Sequence, residues 1–165
     1  MTYAEIDYLM ELAADLPENP LIVNIGADVG VSTTAFLAAR PDATIFSVDL
    51  SECPQEKENM ERAGLDPDRV IRLLGRSQEI GLHFPYQCDL LYVDGGHSYD
   101  AVKRDIEAWV PKVKPGGIIA FHDYLEDPPP NNPSEAKPAI DEGMAGYERI
   151  GRMDRVIAFR QKGAE

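Results

Sequence analysis

The chain has 165 residues, 44% of them hydrophobic, enough to bury a full core in one domain and too few for a second of ordinary size. With 16 basic against 29 acidic side chains the formal net charge is −13, the wrong sign for attraction to a nucleic-acid backbone or an anionic membrane surface. Cys53 and Cys88 stand apart without metal-type spacing, and no signal-peptide pattern or long apolar run is read, so a reduced, cytoplasmic setting with two structural thiols is expected.

In chain order, an amphipathic helix is expected around residues 3–16, closed by Pro17 and Pro20. Residues 21–25 form a β-rich run that enters the turn Gly26-Ala27-Asp28-Val29-Gly30, and a helix over 32–39 follows directly. Further apolar runs at 43–48, 69–74, 88–93 and 116–121 alternate with helical patterns near 54–63, 76–82 and 98–110. Pro54 marks the first turn of the second of these four patterns that follow the glycine turn, and Gly64 lies just past its end. This βα alternation predicts a parallel sheet, and runs such as Leu90–Val93 and Ile118–Phe121, apolar on both faces, predict helices covering both sides. The helix from Ser98 carries Val102, Ile106, Trp109 and Val110 as a core stripe, with Lys103, Arg104 and Glu107 on a solvated face.

Beyond Tyr124 the rhythm breaks. A proline-rich stretch over 124–138 is expected to be a loop beside the active site, followed by a short helix near 134–144. Tyr147–Ile150 and Val156–Arg160, joined by a brief polar turn, are expected to pair antiparallel.

Two constellations carry chemistry. Glycines at a strand-to-helix turn let the backbone approach a ligand, and the helix start offers free N–H groups. Asp49 ends the second strand about 20 residues later, where folds of this kind bind ribose hydroxyls; its other reading is a cap for the next helix. The spacing is G-x-x-x-G with Asp28 inside it, which disfavours the pyrophosphate of a nicotinamide dinucleotide and suits a ligand with cationic character. The second constellation is Asp94, His97, His122 and Asp123, all at carboxyl ends of strands, where α/β sheets place their sites. Two carboxylates and an imidazole suit Mg²⁺ or Mn²⁺, with other divalent transition metals and a metal-free site as alternatives. Solvated strand ends and a helix start are the plainer readings of the same residues.

Three further segments make the pattern specific: Val93-Asp94-Gly95-Gly96-His97-Ser98-Tyr99 with Asp105, Lys114-Pro115-Gly116-Gly117, and Phe121-His122-Asp123-Tyr124. Together with residues 24–33 they resemble class I S-adenosylmethionine-dependent methyltransferases, in particular small-molecule O-methyltransferases similar to the catechol enzymes and to macrolide and aminocoumarin sugar O-methyltransferases. The resemblance covers roughly residues 20–160. It implies one Rossmann-like domain over 1–165, with a seven-stranded, mostly parallel sheet, helices on both faces and an antiparallel C-terminal hairpin.

It also implies that the methionine part of the cofactor lies against Gly26, Ala27, Gly30 and Ser32, the ribose on Asp49, and the adenine beside Leu50, Gly75, Ser77 and Gln78. Asn24 stands where a glutamate is usual, and Asp28 could supply the missing charge. Asp94, His122 and Asp123 match the family's metal ligands, with His122 in place of a common acid. Gly96 occupies the position of an acid in the sugar enzymes, which leaves His97 as the replacement base, oriented by Asp94; contact with metal or cofactor is its rival role. The expected activity is methyl transfer to a hydroxyl of a small-molecule acceptor. A catalytically silent cofactor-binding or interaction module is the alternative, and an NAD-dependent oxidoreductase is disfavoured. Tyr3 and Tyr8 on the first helix could serve a homodimer contact or a lid.

Overall fold

The computed structural model describes residues 1–130 and 134–163. Thirteen principal elements follow in chain order: α1 (Tyr3–Ala14), β1 (Leu21–Ile25), α2 (Val31–Ala39), β2 (Thr44–Asp49), α3 (Pro54–Arg62), β3 (Val70–Leu74), α4 (Ser77–His83), β4 (Cys88–Val93), α5 (Tyr99–Trp109), β5 (Val113–Phe121), α6 (Ala136–Gly143), β6 (Glu148–Met153) and β7 (Val156–Arg160). They build one seven-stranded sheet in the order β3-β2-β1-β4-β5-β7-β6. The first five strands run parallel, while β7 pairs antiparallel with both β5 and β6.

Successive side chains of a strand point to opposite faces, and the core divides along that period. Val23 and Ile25 of β1, Leu91 and Val93 of β4 and Ile157 and Phe159 of β7 pack with Trp109, Ile106 and Ile140 under α5 and α6. The intervening Ile22, Leu90, Tyr92 and Ala158 pack with Leu9, Phe36 and Met60 under α1, α2 and α3. Central strands apolar on both sides therefore sit between two helical layers, as their composition predicts.

The boundaries shift modestly from the sequence reading. The strand expected over 116–121 begins at Val113 and keeps pairing with β4 across a register irregularity between Cys88 and Leu90. Pro138 lies inside α6 rather than in the loop, because a proline near a helix start removes an N–H that has no intrahelical partner. The remainder of that expected 124–138 loop includes residues 131–133, which lie outside the described residues. Tyr3 is 90% exposed, whereas Tyr8 is half-buried with its hydroxyl close to Gly151. Among the described residues, no helix is long and apolar enough to cross a membrane.

The sheet order reverses between β1 and β4: from β1 the chain winds outward through β2 and β3, then returns to the other side. Such a switch point leaves a crevice at the carboxyl ends of the strands. Both constellations lie there.

Candidate active site

The turn after β1 is shaped by two glycines with different tasks. Gly26 has φ +89°, and a Cβ there would run into the carbonyl oxygen of Asp94 at the end of β4. Only a residue without a side chain lets the two strand ends come together. Gly30, at φ +81°, caps α2, and a Cβ there would meet Cγ of Glu56 at 2.6 Å. Between them Asp28 also takes a left-handed φ of 44°, a conformation that aspartate tolerates better than most residues.

Asp49 holds this turn from the neighbouring strand. Its Oδ2 accepts from the N–H groups of Ala27 at 2.9 Å and Asp28 at 3.2 Å, and its Oδ1 accepts from Ser51 at 3.2 Å. Burial disfavours the charge, yet these amides outweigh it and keep the carboxyl below its ordinary range. Each carboxylate oxygen can accept more than one donor, so Asp49 both braces the turn and keeps capacity for a ligand.

A cavity of about 610 Å³ opens beside it. Of the expected cofactor residues, Gly26, Asp28, Asp49, Leu50, Gly75, Ser77 and Gln78 line this space, and so does Asp94. Asn24, Ala27, Gly30 and Ser32 do not. Asn24 is fully buried, donating to Thr33 Oγ1 at 2.8 Å and accepting from Ser32 Oγ at 3.1 Å. It shares the sheet face of Ile22, and its partners on α2 consume its polar atoms. Thr33 and Ser47 in turn donate to Glu56, which pairs with Arg72 at 2.8 Å, a buried network underneath the turn. Ala27 is buried and reaches the site through its amide alone.

Asp105 is a lining residue without a predicted role. It is buried on α5, accepts a hydrogen bond from Ser77, and has its pKa pushed up to about 6 by burial against the opposing effect of that bond. The signal was present in the sequence: Asp105 sits at helical spacing among Val102, Ile106 and Trp109, a carboxylate inside the apolar stripe.

At the ends of β4 and β5, one ligand atom each from Asp94, His122 and Asp123 lies within 4.8 Å of the others. His122 Nδ1 is 3.2 Å from Asp94 and 3.3 Å from Asp123, and Tyr92 donates to Asp94 at 3.3 Å. Burial works against charge on this imidazole, but hydrogen bonds to Asp123 and Asp94 prevail and lift its pKa to about 10. The same bond holds Asp123 below its ordinary range. Convergence of two carboxylates and a ring nitrogen fits a divalent cation, which would replace the proton on Nδ1. His97 stands at the rim, its side chain 48% exposed, with Nδ1 3.9 Å from Asp123. The carboxylate facing it is thus Asp123 rather than the expected Asp94, whose oxygens are turned to His122 and Tyr92. A separate cleft of about 430 Å³ between α1 and the start of β5 holds none of the predicted cofactor, metal or base residues, although Tyr8 and the Lys114-Pro115-Gly116-Gly117 segment line it, and Lys114 there is already paired with Asp89 at 2.8 Å.

This sheet has known counterparts. The chain belongs to the methyltransferase-domain family, whose profile matches residues 23–124, from β1 to just past β5. An O-methyltransferase family protein from Burkholderia thailandensis superposes with a TM-score of 0.78 at 15% identity, over 98% of this chain and 56% of that one. The SAH-bound Podospora anserina methyltransferase PaMTH1 gives 0.75 at 19% identity, over 98% of this chain and 80% of that one. In sequence, 35 residues are 54% identical to the uncharacterized protein y4gI of Sinorhizobium fredii, 21% of this chain and 4% of that protein. The chain therefore spans only part of these relatives, little more than half in the first structure.

Proposed function

We propose that the chain binds S-adenosylmethionine in the 610 Å³ cavity and transfers its methyl group to a hydroxyl of a small-molecule acceptor. The observation that carries this reading is the Gly26 turn braced by Asp49 at the switch point of a methyltransferase-family sheet. Asp49 would hold the ribose hydroxyls, Leu50, Ser77 and Gln78 would flank the base, and Gly26 and Asp28 would face the methionine end. Asp28 supplies the negative charge that Asn24 lacks, and unlike Asn24 it lines the space. Bound there, the cofactor supplies an electrophilic methyl group on a cationic sulfur.

An acceptor oxygen held beside it would form the new bond to the methyl carbon as the carbon–sulfur bond breaks, with the electron pair of that bond passing to sulfur. His97, at the rim, would take the acceptor's proton, with Asp123 3.9 Å away to stabilise the resulting imidazolium. Asp94, His122 and Asp123 would hold a divalent cation, Mg²⁺ or Mn²⁺ or another transition metal, which supplies Lewis acidity toward a hydroxyl. A net charge of −13 favours a small acceptor over a polyanion.

The test is calorimetric titration with the demethylated cofactor, S-adenosylhomocysteine, followed by a methyl-transfer assay over sugars, catechols and polyketides. Asp49→Ala is expected to weaken binding at least about tenfold, roughly 1.4 kcal/mol, and unchanged affinity would remove the assignment. Tight binding without turnover on any acceptor would mark the silent module instead.

A further inference from the structure

Glu5 is a carboxylate with 1% of its surface exposed, in the first turn of α1. One reason for its placement is local: Thr2 and Glu5 form a reciprocal capping box, with the Thr2 N–H donating to Glu5 Oε2 at 2.6 Å and the Glu5 N–H donating to Thr2 Oγ1 at 3.2 Å. A capping box, however, needs one carboxylate oxygen and can sit at the surface. The other oxygen of Glu5 is carried into the carboxyl-end crevice, where Oε1 accepts from the N–H of Arg155 at 3.1 Å and lies 3.5 Å from Nε2 of His122. That imidazole nitrogen is buried and has no hydrogen-bond partner. Its ring thus has Glu5 on one side and Asp94 and Asp123 on the other.

We propose that Glu5 is a positioning residue for a divalent cation at Asp94, His122 and Asp123, so that loading this cluster and seating the start of α1 are coupled. The inference rests on the metal reading of the cluster. A cation on Nδ1 leaves His122 neutral, with its remaining proton on Nε2, the nitrogen that faces Glu5. An N–H to carboxylate bond across the 3.5 Å between Nε2 and Glu5 would then fix the ring's tautomer and its aim, as outer carboxylates do for ligating histidines. Charge points the same way. Three carboxylates converge on one imidazole, with the Arg155 guanidinium 4.0 Å from Asp123, and crowded carboxylates of like sign favour further positive charge.

The experiment titrates the full chain with Mn²⁺, following affinity by calorimetry and the amide hydrogen exchange of residues 3–14 with and without the ion. The wild type is expected to bind Mn²⁺ and to gain exchange protection in α1 on saturation. Glu5→Gln is expected to weaken Mn²⁺ binding about 10- to 100-fold and to lose most of that gain. Thr2→Val, which removes the cap hydroxyl but keeps the carboxylate beside His122, is expected to fray α1 while holding Mn²⁺ affinity within about threefold. Mn²⁺ bound equally well by wild type and Glu5→Gln would overturn the proposal and leave the metal site standing. No uptake by the wild type would overturn both. Should Glu5→Gln fail to fold, the wild type alone decides, since saturation without added protection in α1 refutes the coupling.

Discussion

Asp105 shows what a single side chain concedes to its surroundings. A carboxyl whose folded pKa is raised binds protons more readily in the native state than in the unfolded chain. Its contribution to stability is therefore present below the unfolded value near 3.9 and is lost as pH rises through about 6. Asp105→Asn should raise the thermal midpoint at pH 7.5 by several degrees, with an upper limit of roughly 3 kcal/mol, and the difference should vanish near pH 4. A midpoint difference independent of pH would show that Asp105 is not titrating in this window. A buried carboxylate kept at such a cost beside a ligand cavity is what functional sites commonly contain. His97 sits in the opposite setting, half open to solvent. Its replacement by alanine should lower turnover by about 10²- to 10⁴-fold. Cofactor affinity should stay nearly intact, because His97 lies outside the lining of the large cavity. Turnover near that of the wild type would transfer the base role elsewhere.

At the scale of elements, the glycine turn separates conformational strain from collision. Gly26 and Gly64 both have left-handed φ values, but a Cβ on Gly64 would find nothing within 4 Å, whereas one on Gly26 meets the Asp94 carbonyl. Gly64→Ala should therefore cost only the backbone term, about 1 kcal/mol, and Gly26→Ala about 2–4 kcal/mol, since β1 and β4 must also separate. Equal losses in denaturant unfolding would show that the close approach is not fixed. Most elements were legible because strand alternation and helical stripes record burial directly: β1, β4 and β7 coincide with their expected spans. Less legible were carboxylates buried within helices. Glu5 in α1 and Glu56 in α3 are buried through partners distant in sequence, and in a polar helix turn they look like solvated charges, whereas Asp105 in α5 stands out within its apolar stripe. The capping-box spacing Thr2-x-x-Glu5 was the one local trace of the first.

For the molecule as a whole, both halves of the candidate site were legible as strand ends in the sequence, since acids and glycines there gather wherever parallel strands share a carboxyl edge. It did not resolve which of them face the open space. Asn24 and Ser32 satisfy each other beneath the turn, a pairing that depends on how α2 sits over β1. Nor could local pattern show that β7 lies between β5 and β6. That placement bears on the order in which a growing chain acquires its chemistry. A nascent polypeptide that has emerged only as far as Asp123 already holds Asp94, His122 and Asp123, yet the neighbour that pairs with β5, from Ile118 to Phe121, is Ile157 to Arg160. The Arg155 amide that engages Glu5 arrives at the same late moment. In such a partly synthesised chain β5 lacks its β7 neighbour and the amide that holds Glu5 beside His122 is absent.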